Sequence, residues 1–468
     1  MARTRTCLIL ATLLVASFSP RLHAQPGMPP YPQQTAPISA QPAPPRTFPY
    51  RITTQTLENG LTVASIPFDS PGIVAYYTIV RAGSRNEVEP GLSGFAHFFE
   101  HMMFRGTPKY PQDRYNSILK SLGADSNAFT YPDWTCYHMT VPASALATVV
   151  ELEADRFQNL KYDEAAFQKE ARAVLGEYNK SASSPSLLLR ETMQAQAFTT
   201  HTYRHTTIGF LADVRAMPEK FAYSKVFFDR WYRPENCTLV VAGDVDHGRL
   251  MSLVRTHYGG WKRGATKLEI PVEPPQTKPR SATLSWPLPT QPTLAMGYHI
   301  PSGQPSSVDM AALFALSQAV FGETSPIFKS LVLDEQKVTS LEAEAEWNRD
   351  PGLFTVVARL RDPADLPEVR SRLESALVSA AREPIAVARL ITIKEHAVFE
   401  FASSLDSADA VARTVGHAIA TTGKADVWNT WYDTVERLTV ADLQRVAERY
   451  LVPSNQTVVT LISEAKAP

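Results

Sequence analysis

His97, Glu100 and His101 lie within the run GLSGFAHFFEHMMFRGT that begins at Gly91, in the order H-x-x-E-H. Positions i, i+3 and i+4 of a helix share one face, so the three side chains would project the same way. Two imidazoles one turn apart can grip one metal ion, and a carboxylate beside them can take a proton from water held there. The chain has 11 His in 468 residues, which makes such a constellation rare by chance. Ionisable groups buried without partners are costly, so two His and a Glu on an otherwise apolar stretch argue for a site rather than for core filling. The order is the reverse of the better-known H-E-x-x-H.

These residues need a helix. Ser93 is the expected N-cap, residues 95–104 are apolar apart from the three site residues, and Gly106 can close the helix. A zinc site also needs a third protein ligand and one open position. Residues 164–180, EAAFQKEARAVLGEYNK, read as a second helix rich in Ala, Glu and Lys. Glu170 and Glu177 fall two turns apart on one of its faces. From the residues alone, they are either site carboxylates or two solvated surface groups.

The segments HFFEHMMFRGT, NAFTYPDWTCY and EARAVLGEY together resemble the pitrilysin/insulinase-type metallopeptidases, which are inverted zincins. In size the chain is closest to the branch of the mitochondrial processing peptidase and its bacterial relatives. The resemblance runs from about residue 50 onward. It implies one Zn2+ per chain, held by His97, His101 and Glu177, with Glu100 as the base. Glu170 would support the site without binding the metal. The implied fold class is α+β: two homologous domains, each an antiparallel sheet with helices packed on it, in a clamshell. The implied activity is zinc-dependent endopeptidase action on short unstructured peptides. Asn127, Ala128 and Phe129 would form an edge strand along which an extended peptide pairs.

Catalytic members of that family also hold the substrate with an Arg and a nearby Tyr on the second-half domain. The matching stretch here, residues 325–345, has neither. This departure keeps a second reading open: a non-catalytic or partner-dependent scaffold subunit of a heterodimeric peptidase. A homodimer, or a heterodimer with a related non-catalytic subunit that supplies the pair, would be the corresponding assembly. All four residues of the metal pattern are intact, which weighs against a pure scaffold.

At the N-terminus, Arg3 and Arg5 precede an apolar run over residues 8–18, and Ala24 offers a small residue before Gln25. Residues 1–24 are therefore expected to be a signal peptide for a periplasmic or secreted protein. No later run of about 18 apolar residues occurs, so no membrane span is expected after cleavage. Residues 25–49, rich in Pro, Gln and Ala, are expected to be a spacer. Lys plus Arg number 46 and Asp plus Glu 47, a balance that gives no reason to expect nucleic acid as a partner.

Residues 61–66 and 73–80 read as paired strands, 113–122 as a helix and 126–141 as two strands joined at Pro132-Asp133. Residues 144–160 and 220–232 read as helices, and 237–242 as a strand. His201 and His205 are four apart but have no acidic residue between them, and residues 199–209 read as a loop. Cys136 and Cys237 are expected as free or buried thiols. The Pro-rich stretch 262–282 reads as a linker between a metal-binding domain, 50–261, and a second copy, 283–468. The copies share an ending, P-x-N-x-T-[LV]-V, at Pro234 and Pro453, each following a helix. The second copy has no H-x-x-E-H, so metal is expected only in the first.

Overall fold

Eleven strands of the computed structural model, which describes residues 46–264 and 268–464, fall into two sheets. The expected signal peptide and residues 25–45 of the expected spacer lie outside those residues. The first sheet contains β1 (Thr53–Thr56), β2 (Thr62–Pro67), β3 (Ile73–Val80), β4 (Asp125–Thr130), β5 (Thr135–Pro142) and β6 (Cys237–Gly243). The second contains β7 (Arg280–Trp286), β8 (Thr293–His299), β9 (Val338–Ala345), β10 (Leu353–Leu360) and β11 (Gln456–Ser463). Their spatial orders are β1-β2-β6-β3-β5-β4 and β7-β11-β8-β10-β9. With β1 set aside, the orders are the same. In each sheet the first strand lies parallel to the last and every other pairing is antiparallel. The α+β class and the repeated fold expected from the sequence are therefore both present.

The expectation that residues 61–66 and 73–80 pair with each other is wrong. β6 lies between β2 and β3, parallel to β2 (Thr62↔Thr238) and antiparallel to β3 (Val80↔Cys237). Every residue of β6 is buried, as suits an interior strand. The turn residues between β2 and β3 gave the false signal, because a short connection usually means adjacent strands.

The shared ending of the two copies has a structural reason. In both, a helix runs through a 3-10 turn, Pro234–Asn236 or Pro453–Asn455, into the last strand. Asn236 Nδ2 donates to the Trp231 carbonyl at 2.9 Å, and Asn455 Nδ2 donates to the Tyr450 carbonyl at 2.8 Å. Each Asn thus satisfies a carbonyl that the helix end leaves open.

Five helices matter below: α1 (Phe95–Met102), α2 (Glu164–Ser181), α3 (Pro185–Ala197), α4 (Val308–Leu316) and α5 (Ala408–Thr422). One face of the first sheet, with Val63, Tyr76 and Val241, packs in a core shared with α1 and α2. The other face, with Ala64, Tyr77 and Val240, is covered by Val411, Val415 and Ile419 of α5, from the second half of the chain. Reciprocally, Met193 and Ala197 of α3 cover Ala295 and Val459 of the second sheet. The two copies therefore exchange a helix. α3 had no counterpart in the sequence reading.

Observed helices Gln112–Leu122, Leu146–Asn159 and Phe221–Trp231 match the expected ones to within two residues at each end. Residues 199–209 form a loop with one 3-10 turn, Thr202–Arg204. Cys136 and Cys237 are free and buried, on the two strands that flank β3. Phe48, in the stretch expected as spacer, is buried, and its N–H donates to Asn429 Oδ1 at 3.0 Å. No described helix is long and apolar enough to cross a membrane.

Candidate metal centre

α1 starts differently from the expectation. Its N-cap is Gly94, at φ +92°, and not Ser93, whose hydroxyl donates to Asp213 at 2.6 Å. The first N–H groups of α1 go instead to Glu87, whose two carboxylate oxygens accept from Gly94 N and Ala96 N, both at 2.7 Å. Burial drives the Glu87 carboxyl up to about 8, against the pull of these backbone hydrogen bonds. Gly94 has no substitute here. Its φ is positive, and a Cβ would lie 2.7 Å from the Ile208 carbonyl oxygen. At its other end α1 runs into a 3-10 turn, Met103–Arg105, closed by Gly106 at φ 88° as expected.

Phe98, Phe99 and Met102 anchor α1 in the core, leaving His97 and His101 beside Glu177 of α2. Glu177 Oε2 on α2 stands 3.6 Å from His97 Nε2 and 3.3 Å from His101 Nε2. One donor atom each from His97, His101 and Glu177 lie within 4.8 Å of one another. Two turns earlier on α2, Glu170 Oε1 lies 3.0 Å from His101 Nδ1. Glu170 is 4 % exposed and also receives the guanidinium of Arg105. That bond fixes the imidazole with Nδ1 toward Glu170, leaving Nε2 for the site. The structure thus brings together all five of the residues singled out on these two helices.

The electrostatics favour a cation. Burial, then the neighbouring His101, lowers His97 to about 4, so it is a neutral donor at pH 7. Hydrogen bonds donated by His101 to Glu170 and then to Glu177 raise it to about 9, which means positive charge is stabilised there. The hydrogen bond with His101 holds Glu177 below the usual carboxylate range. Burial alone would raise Glu170, but His101 and Arg105 outweigh it and hold it down. Two nitrogens and one carboxylate oxygen form a donor set that suits zinc. Glu100 faces a different partner. Thr130 Oγ1 on β4 donates to Glu100 Oε2 at 2.6 Å, while burial raises the Glu100 carboxyl above its ordinary value. A cavity of ≈ 260 Å³ beside it is lined by Glu100, His101, Phe104, Arg105, Gln112 and Glu170.

β4 is an edge strand, paired only with β5 (Asn127↔His138, Ala128↔Tyr137, Phe129↔Cys136). Asn127, Ala128 and Phe129 therefore sit where an added strand could pair. His201 and His205 lie elsewhere. His201 Nε2 is 2.9 Å from Asp350 Oδ2, and the His205 ring meets the Thr206 carbonyl at 3.0 Å. Sequence reasoning missed Glu87, Arg105 and the bond from Thr130 to Glu100. Arg105 is one turn beyond His101, and that spacing could have flagged it. The other two reach the site only through the fold.

Two family models match the chain: "Insulinase (Peptidase family M16)" over residues 69–209 and "Peptidase M16 inactive domain" over residues 224–395. The chain is 28% identical to a zinc protease PqqE of Helicobacter pylori, covering 87% of this chain and 91% of that one. It is 26% identical to the beta subunit of the mitochondrial-processing peptidase of Lentinula edodes, covering 85% and 86%. A crystal structure of a protease from Helicobacter pylori superposes with a TM-score of 0.82 at 27% identity, over 88% of this chain and 99% of that one. A putative M16-like peptidase from Alicyclobacillus acidocaldarius shares the fold, with a TM-score of 0.79 at 21% identity over 89% and 99%. These neighbours are two-domain M16 peptidases, consistent with the clamshell arrangement expected from the sequence. The chain belongs to the insulinase (M16) family of peptidases.

Proposed function

We propose that this member of the insulinase family is a zinc-dependent endopeptidase that hydrolyses short unstructured peptides. The carrying observation is the convergence of His97, His101 and Glu177, with donor atoms within 4.8 Å, beside Glu100 on the same turn of α1. Zinc, when bound by these three, supplies a Lewis acid that brings the pKa of a water toward about 7 and polarises the scissile carbonyl. Glu170 keeps the His101 ring oriented. Glu100 takes the proton of the attacking water and later passes it to the nitrogen of the leaving amine. Thr130 occupies Glu100 Oε2, so Oε1 is the oxygen left to carry that proton. The peptide lies extended along Asn127, Ala128 and Phe129, completing the outer edge of β4.

In this reading the chain divides at residues 262–282, with 50–261 holding the metal and 283–468 forming the metal-free copy. Residues 1–24 direct it to the periplasm or outside the cell. A second reading, dependence on a partner subunit, draws on the lack of Arg and Tyr in residues 325–345. Relatives named as the beta subunit of the mitochondrial-processing peptidase point the same way. Mass-spectrometric profiling of a mixed peptide library, with zinc-loaded protein beside its Glu100→Gln variant, separates the two. Cleavage by the native protein alone supports the lone peptidase. Absence of cleavage by both, with zinc bound, rejects it in favour of partner dependence.

A further inference from the structure

On the side of the first sheet away from α1 there is a cavity of ≈ 690 Å³ that the catalytic reading does not use. Its wall comes from both halves of the chain: Phe129, Tyr131 and Trp134 from the β4–β5 hairpin, Trp347 from beyond β9, and His417 and Trp428 from helices of the second half. The rings follow one another with few gaps. Phe129 is 5.2 Å from Tyr131 and 5.1 Å from Trp134, Trp134 is 6.2 Å from His417, His417 is 6.1 Å from Trp428, and Trp428 is 5.8 Å from Trp347. Tyr131 is 53% exposed, so the wall opens to solvent at the hairpin.

The position of this wall follows from strand alternation. Thr130 points to the α1 side, where it meets Glu100. Its neighbours Phe129 and Tyr131 therefore point to the opposite side, into the cavity. A peptide paired to the outer edge of β4 has the same alternation. Residues on one of its faces look toward Glu100, and those on the other look toward the aromatic wall. The charges at the cavity do not select for a cation or an anion. Asp133 is taken up by Tyr203 and the Arg349 amide, Glu346 by Asn348 and the Leu353 amide, and Arg413 by Asp409. Glu344 and Arg190, of opposite sign, share the lining. Burial keeps His417 neutral, so it adds a ring to the wall without adding charge. What remains is ring faces and edges, the environment that another aromatic ring fits best.

We propose that this cavity is a specificity pocket for an aromatic side chain of the peptide, on a residue facing away from Glu100. The proposal rests on the peptidase reading and on β4 as the peptide's strand. Two measurements test it separately from that reading. The first is binding, by fluorescence anisotropy, of labelled ten-residue unstructured peptides to zinc-loaded Glu100→Gln protein. The peptides carry a single Phe, Leu, Arg or Ala at each position in turn. At one position, or at two positions an even number apart, Phe is expected to bind about tenfold tighter than Ala, the scale of burying one ring against aromatic partners. Tyr131→Ala should reduce that ratio to near one, and Tyr131→Phe should restore it. The second is the cleavage profile of the native protein, which should show the aromatic residue at a fixed distance from the cut.

Equal binding of the Phe and Ala peptides, a preference for Arg, or an unchanged ratio in Tyr131→Ala overturns the pocket. Cleavage with no aromatic preference also overturns the pocket while leaving the peptidase standing. Aromatic-selective binding without any cleavage supports the pocket and counts against the lone peptidase.

Discussion

Replacing Glu170 by Gln tests how the site is held without touching any residue proposed to bind the metal. Glu170 is almost fully buried and serves two donors at once, His101 Nδ1 at 3.0 Å and the Arg105 guanidinium. Gln keeps the shape but removes the charge and turns one oxygen into an NH2 group. That NH2 must then face either His101 N–H or Arg105, donor against donor, in a place water reaches poorly. A hydrogen bond to a charged group contributes about 1.5–3 kcal/mol, and loss of the residue that orients a ligand imidazole typically weakens metal binding about 10–100-fold. At about 1.4 kcal/mol per tenfold, that range is about 1.4–2.7 kcal/mol, so the two estimates agree. The assay is the zinc Kd measured by competition with a chelator of known affinity, with Tm of the zinc-saturated protein as a control. The expected result is a Kd raised 10- to 100-fold with turnover largely recovered at saturating zinc. A Kd within about twofold of the native value would show that His101 does not depend on Glu170 for its orientation, and the account of the site given above would be wrong.

Three further outcomes follow from the same geometry. Thr130→Val removes the hydroxyl that occupies Glu100 Oε2. It should lower kcat about 5- to 20-fold with zinc content unchanged, and an unaltered kcat would remove Thr130 from the mechanism. Gly94→Ala should destabilise the protein by about 1–3 kcal/mol in urea unfolding, because its φ is positive and a Cβ would press on the Ile208 carbonyl oxygen; a neutral effect would mean that the turn into α1 relaxes freely. Glu87 has its carboxyl raised to about 8 in the folded protein. Its contribution to stability is therefore full below the ordinary carboxylate value, about 4.5, and is lost as pH rises through 8. The urea midpoint should fall between pH 5 and pH 9 more steeply in the native protein than in Glu87→Gln, and equal slopes would contradict the raised value.

How much of this was legible in the sequence depended on how local each signal was. The face of α1 was readable because H-x-x-E-H needs only the helical period. The spacing of Glu170 and Glu177 put both on one face of α2, but only the family resemblance separated ligand from support. In the structure Glu177 approaches both Nε2 atoms and Glu170 approaches Nδ1 of His101. The capping of α1 was misread for a physical reason. Ser93 has the ideal residue type, but Asp213, 120 positions away, claims its hydroxyl. The pairing of β2 with β3 was misread because β6, far along the chain, inserts between them. In both cases a local preference lost to a partner distant in sequence.

The repeated topology also explains where the two halves meet. β4–β5 and β9–β10 are equivalent hairpins of the two copies, and their turns are bolted to each other. The Asp133 carboxylate, in the first turn, accepts from the Arg349 amide in the second at 2.8 Å. Asp350, next to it, binds Arg85 at 2.5 Å and His201 at 2.9 Å. A single copy could not build this contact, because each turn supplies what the other lacks. The second copy has α4 where the first has α1. That helix, VDMAALFAL, has no metal-binding side chain except Asp309, which is spent on Arg445 and Tyr450. The second copy as a whole packs against the first. It carries α5 onto the back of the first sheet, brings Trp347 and Trp428 to the cavity, and pins the hairpin whose β4 strand ends at Thr130 beside Glu100. Separating the halves requires breaking the half-buried Arg85–Asp350 pair, and the hairpin that carries β4 is tied to the second copy through these turns.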